Sequence, residues 1–232
     1  MRISVIIPTL NEKDNICELV SQLRSFGRKA IAEIIVSDGG SSDATLKLAQ
    51  KAGAVGVLSP LRGRAPQMNY GARFATGEIL YFVHADTRVP RSFVEDIGQA
   101  LSEGYEAGCY RFRFDSDKPM LKINSYFTRF DNLTVRGGDQ TFFIKKNNFF
   151  ELGGYDERYV IMEEYDFLRR FRKQFPDKFK LIPKDVIVSA RKYSTNSWLR
   201  VQVANLVAML MFRCNVTPIK IAQTYKKLLR PY

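Results

Sequence analysis

The N-terminal part of the chain places polar side chains that can bind ligands directly after three short apolar runs, each typical of a buried strand. The side chains concerned are Thr9, Asn11 and Glu12 after the first run, residues 38–43 after the second, and His84 and Asp86 after a later one. Any one of these groups could simply cap a helix or close a turn. Their joint placement predicts a binding site, because ligands of open α/β sheets bind beyond the carboxyl ends of the strands.

His84 and Asp86 form a candidate pair of metal ligands. Residues i and i+2 of an extended segment point to the same side, and a carboxylate with phosphate oxygens and water suits Mg²⁺ or Mn²⁺. His84 is the only histidine in the chain, and a single histidine is more often structural than a ligand. If it coordinates, its imidazole favours Mn²⁺ over Mg²⁺.

Two further groups have residue types suited to group transfer. Arg62 and Arg64 flank a glycine; their guanidinium groups match the oxygens of a diphosphate, although such triplets also occur on solvated loops. Glu163, Glu164 and Asp166 precede a strongly basic helix. They either place favourable negative charge at a helix N-terminus or supply a general base, because crowding by other carboxylates raises a carboxylate pKa.

Alternating strands and helices must position these groups. The apolar pattern predicts strands at 2–8, 33–37, 54–58 and 79–83 and helices at 13–26, 44–52, 66–75 and 93–103, with Asn11 capping the first helix. Beyond residue 105 it predicts strands at 107–114 and 140–145 and helices at 146–152, 164–174, 198–214 and 218–229. This order indicates an α/β fold with a mostly parallel, Rossmann-like sheet, helices on both faces and additional C-terminal helices.

Length and composition fit one domain spanning residues 1–232, of which 45% are hydrophobic. We divide it into two halves, about 1–104 and about 105–190, followed by basic C-terminal helices (about 191–232). Cys17, Cys109 and Cys214 form neither a metal pattern nor a disulfide framework, which favours a reducing compartment. The N-terminus does not resemble a signal peptide and no apolar stretch reaches roughly 20 residues, so we expect a cytoplasmic protein.

The net charge of +12 is concentrated near the C-terminus, where residues 169–232 hold 15 Lys and Arg against two Asp. Such a surface attracts phosphates, nucleic acid or anionic lipid, or is simply solvated. The predicted helix 198–214 is too short to span a bilayer but long enough to lie on one. Two interpretations of these helices stay open: they cover the sheet or form a homodimer contact, or they make peripheral contact with the anionic inner face of the membrane.

Four segments, in order, resemble family 2 glycosyltransferases of the GT-A fold, and the likeness covers most of the chain. The segments are ISVIIPTLNE for the first strand and its loop, IIVSDGGSSDAT for the second strand and its acidic turn, GARFATGEILYFVHADT for the stretch that ends in the metal-binding DxD motif, and the region around Tyr155-Asp156 and Met162-Glu163-Glu164 for the catalytic base. A closer likeness, carried by RGRAPQMNYGARFATGEILYFVHADT, GGDQTFFIKK and NSWLR, is to a small bacterial subfamily of arsenosugar-biosynthesis glycosyltransferases.

The resemblance implies a nucleotide-sugar donor, a divalent metal cofactor (Mn²⁺ or Mg²⁺) and a role for each matching residue. It makes residues of about 1–104 the nucleotide-binding half and residues of about 105–190 the acceptor and catalytic half. Asp38 matches the carboxylate that hydrogen-bonds the nucleoside base, and Asp86 matches the last, metal-binding Asp of the DxD motif. Glu164 falls at the position of the catalytic base, with Glu163 as its competitor. The loop near the sugar and acceptor matches at Gly138, Asp139 and Gln140. The complete predicted sugar-donor site consists of Pro8, Thr9, Asn11, Glu12, Asp38, Arg62, Arg64, Gln67, Ala85, Asp86 and Arg191.

Three departures from the family pattern bear on the mechanism. His84 stands at the first DxD position, and the base position holds Glu164 rather than an Asp. The QxxRW motif of processive synthases is absent and Arg191 stands in a comparable place, which implies transfer of a single sugar. The implied reaction is inverting transfer from a UDP-sugar, favoured over a GDP-sugar, to an acceptor hydroxyl that the sequence does not identify.

Two other function classes stay open. A nucleotidyltransferase also uses a nucleotide and a metal on a related sheet, but its first loop is usually rich in glycine, whereas PTLNEKDN contains none. The second class is a basic protein that binds nucleic acid or a membrane surface without transferase activity. The C-terminal part carries aromatic residues but no recognised nucleic-acid motif, so we expect no nucleic-acid partner.

Overall fold

An eight-stranded sheet organises the residues that the computed structural model describes, which are 1–133 and 140–230. The strands are β1 (Ile3–Thr9), β2 (Ile31–Asp38), β3 (Val55–Leu58), β4 (Ile79–Phe82), β5 (Thr87–Arg88), β6 (Ala107–Phe114), β7 (Phe142–Lys145) and β8 (Phe179–Val188). The α-helices are α1 (Ile16–Gly27), α2 (Thr45–Lys51), α3 (Arg64–Arg73), α4 (Phe93–Ser102), α5 (Pro119–Phe127), α6 (Lys146–Glu151), α7 (Glu163–Gln174), α8 (Lys192–Thr195), α9 (Trp198–Arg213) and α10 (Pro218–Leu228).

The strand order is β3-β2-β1-β4-β7-β6-β8-β5. Strand β1 runs parallel to β2 and β4, β2 runs parallel to β3, and β6 runs parallel to β8. Strand β7 is antiparallel to both of its neighbours, and β5 is antiparallel to β8. The predicted mostly parallel α/β sheet is confirmed. Because Thr9 pairs with Asp38 and β4 lies on the other side of β1, the polar residues that follow these strands meet at one end of the sheet.

Helices cover both faces of the central strands, so β1 is buried along its whole length. On one face Ile3, Val5 and Ile7 pack into a cluster that includes residues of α1 and α4. On the other face Ile6 and Ile35 pack with residues of α3 and α7. The strand that ends at the predicted site is therefore fixed from both sides, which gives the loop after it a rigid base.

Sequence analysis did not predict strand β8, helix α5 or the short strand β5. In β8 the segment FKLIPKDVIV resembles a loop, because proline and charged residues interrupt its apolar pattern. Tyr110 of β6 pairs with Ile182, but the next residue, Arg111, pairs with Asp185. Pro183 and Lys184 thus occupy an irregularity in the pairing, where a proline costs no sheet hydrogen bond.

The C-terminal helices pack on each other through a separate small cluster that contains Ala208, Phe212 and Ile221, together with Met162 from the segment before α7. Ser197 caps α9, since its side chain accepts a hydrogen bond from the backbone amide of Arg200. Within residues 1–133 and 140–230, every helix falls short of the length or the hydropathy that crossing a membrane requires.

Candidate active site

Hydrogen bonds interlock the loop after β1 with the loop after β2. The backbone amide of Asn11 donates to Ser41 Oγ at 2.8 Å, and Asn11 Oδ1 accepts from the backbone amide of Ser42 at 2.9 Å. The backbone amide of Glu12 donates to Thr45 Oγ1 at 2.8 Å. Asn11 has a φ of 55°, and α1 begins only at Ile16. The prediction that Asn11 caps the first helix is wrong; its side chain braces the neighbouring loop instead.

The Asp38 carboxylate is buried, and both of its oxygens accept hydrogen bonds from groups of the chain itself. Its Oδ1 accepts from the backbone amides of Gly40 at 2.9 Å and Ser41 at 2.7 Å. Its Oδ2 accepts from Thr9 Oγ1 at 2.9 Å and Ser41 Oγ at 2.6 Å. A carboxylate offers about four lone-pair positions, so this one has none left for a nucleoside base. The geometry supports a loop-holding role for Asp38 in place of the predicted base contact.

Gln67 of α3 is likewise a brace. Its Nε2 donates to the carbonyl oxygens of Thr9 at 2.7 Å and Ser37 at 2.8 Å, and its Oε1 accepts from the Gly63 amide at 3.2 Å. The side chain ties α3 and the Arg62–Arg64 loop to the ends of β1 and β2. Of the two arginines in that loop, Arg62 is exposed.

Arg191 joins the ends of three strands. It follows β8, and its Nη2 lies 2.7 Å from Glu12 Oε1 and 3.2 Å from Asp86 Oδ2. Asn15 Nδ2 donates to the other Glu12 oxygen at 2.7 Å. Three residues predicted to contact the sugar donor are thus brought together, with Pro8 and Ala85 buried beside them. A cavity of about 70 Å³, which sequence analysis missed, adjoins Asp86 and is lined by Asn15, Glu18, Gln22 and Asp115 among others.

His84 and Asp86 lie in a turn rather than on an extended segment. Strand β4 ends at Phe82, and the amide of Thr87 donates to the carbonyl oxygen of His84 at 3.1 Å. The prediction that the two side chains share one face of a strand therefore fails: His84 Nε2 is 3.8 Å from Glu164 Oε1, whereas Asp86 faces Arg191.

The residues around this turn fit a divalent ion only together with a diphosphate. In the part of the chain that the structure describes, no group of three or more His, Cys, Asp or Glu side chains is arranged to hold a metal. One carboxylate and one imidazole, both partly exposed, leave the remaining coordination positions to phosphate oxygens and water. That donor set is common for Mg²⁺ and Mn²⁺ at nucleotide sites.

Glu163 and Glu164 open helix α7 but differ in exposure. The Glu163 side chain is 0% exposed, and Arg64 Nε approaches its Oε1 to 2.8 Å, without the alignment of a regular hydrogen bond. Burial raises the pKa of Glu163 to about 8; the Arg64 charge opposes this rise and the Glu164 charge adds to it. The Glu164 side chain is 12% exposed, close to His84.

Glu164 and Gln140 border a small cavity of about 20 Å³, whose other lining residues are Cys109, Phe142, Tyr155, Phe167 and Leu168. Gln140 Nε2 donates to the carbonyl oxygen of Tyr110 at 3.0 Å, while its Oε1 is buried without a hydrogen-bond partner among the described residues. The structure thus brings the predicted acceptor residue Gln140 to the predicted base. Gly138 and Asp139 lie outside the described residues.

Asn69 is a positioning residue whose role sequence analysis missed. Its Nδ2 donates to the Tyr155 carbonyl at 2.8 Å, and its Oδ1 accepts from the Tyr155 amide at 2.9 Å. This pair holds the segment before α7 against α3, and so sets where the two glutamates stand. Gly154, with a φ of 70°, makes room for it, because a Cβ there would lie 2.7 Å from Asn69 Oδ1.

The sequence model of the family described as Glycosyl transferase family 2 matches residues 4–160. The chain belongs to glycosyl transferase family 2. The matched stretch contains the interlocked loops, Arg64, His84 and Asp86. It ends before Glu163, so family membership does not by itself assign a base on α7.

Among curated proteins, dolichol-phosphate mannosyltransferase of Pyrococcus furiosus is 29% identical over 109 residues, which are 45% of this chain and 31% of that protein. The match therefore spans less than a third of the relative's length. The match supports the family assignment. It does not assign the relative's substrates to this chain.

Two solved structures share the fold over nearly the whole chain. Glucosyl-3-phosphoglycerate synthase from Mycobacterium tuberculosis, in complex with Mn²⁺, UDP and glucosyl-3-phosphoglycerate, has a TM-score of 0.68 at 19% identity, covering 93% of this chain and 80% of that one. S. aureus TarS 1–349, in complex with UDP-GlcNAc, has a TM-score of 0.68 at 17% identity, covering 98% and 71%. The predicted GT-A architecture is confirmed.

Proposed function

We propose that this protein is a nucleotide-sugar-dependent glycosyltransferase that moves one sugar to an acceptor hydroxyl, with inversion and without processive elongation. The observation that carries the proposal is the position of Glu164, whose Oε1 lies 3.8 Å from His84 Nε2 just after β4 ends, with Asp86 two residues further along the chain. A carboxylate with access to a cavity stands there beside a pair of groups suited to a metal–diphosphate complex. Such an arrangement matches what sugar transfer needs, a base for the acceptor and positive charge for the departing nucleotide.

The proposed sugar donor is a UDP-sugar, in preference to a GDP-sugar. Support comes from the shared fold of the two neighbours, whose structures contain UDP or UDP-GlcNAc. Asp86 and His84 would hold Mn²⁺ or Mg²⁺ together with the diphosphate. When bound, such an ion supplies charge neutralisation for the leaving group. Arg191 lies against Asp86 and Arg64 against Glu163, beside Glu164; these two, with Arg62 on the loop that leads to Arg64, would add positive charge of the chain's own.

In the proposed mechanism Glu164 accepts the proton of the acceptor hydroxyl. The hydroxyl oxygen forms a bond to the anomeric carbon as the bond from that carbon to the diphosphate oxygen breaks, which inverts the configuration. Glu163 serves this step indirectly by holding Arg64. Gln140 borders the Glu164 cavity and is proposed to orient the acceptor, with the neighbouring Gly138 and Asp139 as further acceptor contacts.

The proposed subfamily and the proposed location are supported by sequence segments and by the charge of the C-terminal part. The RGRAPQMNYG, GGDQTFFIKK and NSWLR segments support membership of the arsenosugar-biosynthesis subfamily, as a statement about ancestry rather than about the acceptor. The absence of acidic residues from 186 to 232 supports work on the cytoplasmic side of an anionic membrane.

Calorimetry with UDP and GDP, each with and without Mn²⁺ or Mg²⁺, tests the sugar-donor site. We expect metal-dependent binding of UDP that Asp86→Ala abolishes. Asp117→Ala is the matched control, because Asp117 is fully exposed, pairs with Lys122 on the surface and lies on the segment leading into α5. Equal UDP binding by wild type and Asp86→Ala would contradict the assignment of Asp86 to the metal site. In a separate analysis of the transfer product, a retained anomeric configuration would exclude the inverting mechanism.

A further inference from the structure

Helix α9 buries one face and exposes another that is equally apolar. Its buried residues are Val201, Ala204, Ala208 and Phe212. On the opposite side Leu199, Val203, Leu206 and Leu210 form a second stripe, with Leu199 66% and Leu206 59% exposed. At about 100° per residue the two stripes lie on opposite sides of the helix axis. The fold therefore uses only half of the apolar surface that this helix carries.

Helix α5 and the residues after it expose a second apolar group. Its members are Met120, Ile123, Tyr126, Phe127 and Phe130. The three aromatic rings contact one another with centroids 6.0 to 6.2 Å apart, and the Arg129 guanidinium lies 4.9 Å above the Tyr126 ring. Aromatic rings with a nearby cation are typical of side chains placed at a membrane–water interface.

The two helices touch where α9 begins. Trp198 Nε1 donates to Asn124 Oδ1 of α5 at 3.1 Å, and Asn124 Nδ2 donates to the Tyr193 hydroxyl. Among the seventeen large apolar side chains most exposed in the described residues, nine belong to α5, α9 and the residues directly after α5. Water-soluble surfaces seldom gather apolar groups in this way, and such gatherings mark contact sites.

The charge of this region distinguishes between the kinds of partner that could cover it. From residue 186 to the C-terminus the chain has no Asp or Glu but eight Lys and Arg. A symmetric contact between two copies would bring this basic region against itself, which repels. An anionic surface would be attracted, and an apolar stripe rimmed by cations suits a bilayer better than it suits nucleic acid.

We propose that α5 and α9 seat the protein on an anionic lipid bilayer. The α9 stripe and the α5 aromatic rings enter the boundary between headgroups and acyl chains, while Lys220, Lys226 and Lys227 of α10 contact the headgroups. This proposal depends on the proposed membrane location and not on the proposed transferase chemistry. An experiment can therefore refute one of them without refuting the other.

The chain's only tryptophan, Trp198, is the first residue of α9, directly before Leu199 of the stripe, and provides a native reporter. We expect the protein to co-sediment with vesicles of phosphatidylcholine containing phosphatidylglycerol but not with phosphatidylcholine alone, and brominated acyl chains to quench Trp198 fluorescence. The double variants Leu206→Gln/Leu210→Gln and Phe127→Ser/Phe130→Ser should each lower the partition coefficient by about tenfold or more. Val55→Gln/Val160→Gln, which changes exposed apolar residues elsewhere, should leave it unchanged.

UDP binding and cooperative thermal unfolding serve as fold controls for every variant. The proposal is overturned if wild type stays in the supernatant with anionic vesicles, or if the stripe variants bind them as well as the Val55/Val160 control does. It is equally overturned if sedimentation velocity, without lipid, finds a dimer that the stripe variants dissociate, because a second copy would then cover this face. Loss of UDP binding with intact vesicle binding would count against the transferase proposal alone.

Discussion

Glu163 and Glu164 are adjacent in the chain but face different surroundings. Neighbouring residues of a helix point about 100° apart, so one turns inward to Arg64 and the other turns towards His84 and the small cavity. A general base must reach the proton that it removes. Access therefore favours Glu164 as the base and leaves Glu163 to fix Arg64.

Replacing each glutamate by glutamine separates these two roles. We expect Glu164→Gln to slow single-turnover sugar transfer by about 10²–10⁴-fold, the usual size of a general-base contribution, with little change in UDP binding. Glu163→Gln should instead weaken UDP binding at a pH above the raised pKa of about 8, because Arg64 then loses the charge that holds it. The reverse pattern, with the larger rate loss in Glu163→Gln, would transfer the role of base to Glu163.

The buried Glu163 also predicts a pH dependence of stability. Between its ordinary pKa of 4.5 and its raised pKa of about 8, the folded protein holds a proton that the unfolded chain has lost. The free energy of unfolding therefore falls as the pH rises through this window, by at most about 1.4 kcal/mol per pH unit. Urea unfolding of wild type and Glu163→Gln across the window measures this slope. The variant should lack the contribution, and parallel curves would mean that Glu163 does not take up the proton.

At the residue scale, sequence reasoning found the acidic group on α7 and the basic loop at Arg62 and Arg64, but it could not rank their members. Glu163 is buried by contacts with Arg64, far away in the chain, and no local pattern reveals that. The part that Asp38 plays in holding the loop was missed for a related reason. Its role depends on four hydrogen bonds formed only once the two loops meet.

At the scale of elements, the loops after β1 and β2 behave as one unit, because each supplies the hydrogen-bond partners of the other. Asp38 is the acceptor on which the turn 38–41 depends. Its carboxylate accepts four bonds, and an amide in its place could accept at only one of the two positions.

Asp38→Asn should therefore lower the free energy of unfolding by about 1–3 kcal/mol and weaken UDP binding through disorder of the loop. Chemical unfolding and calorimetry measure the two effects. Asp14→Asn is the matched control, since Asp14 is exposed on the partner loop, after β1. A variant that keeps full stability but loses UDP binding would restore the predicted contact between Asp38 and the nucleoside.

The predicted elements of the N-terminal half agree with the structure within a few residues, since each has a clear apolar period bounded by glycine or polar residues. Strand β8 was missed because its pairing tolerates Pro183 through an irregularity in β6–β8. That accommodation is a property of two strands together, and the sequence of one strand does not contain it.

At the scale of the whole molecule, Arg191 connects the two ends of the chain's sheet. It follows β8, the last strand in the sequence, and contacts Glu12 on the loop after β1, the first strand. We expect Arg191→Gln to weaken binding of UDP by about tenfold or more while leaving uridine binding unchanged, because the lost guanidinium would have served the diphosphate. Arg191→Lys should recover part of the loss. Calorimetry with both ligands measures this, and equal weakening of UDP and uridine would show that Arg191 only supports the loop.

The place of β7 in the sheet has a consequence for synthesis of the protein. Strands β1 to β4 are contiguous in the sheet and come early in the chain. The other edge of β4 pairs with β7, which comes much later: Ile79 of β4 lies opposite Lys145 of β7. A nascent chain can thus build the first four strands while the far edge of β4 still has unpaired backbone amides and carbonyls. Such an edge recruits other strands until it is covered. The segment up to residue 145 is therefore the interval during which a ribosome-bound chain is most exposed to aggregation, and arrival of β7 ends it.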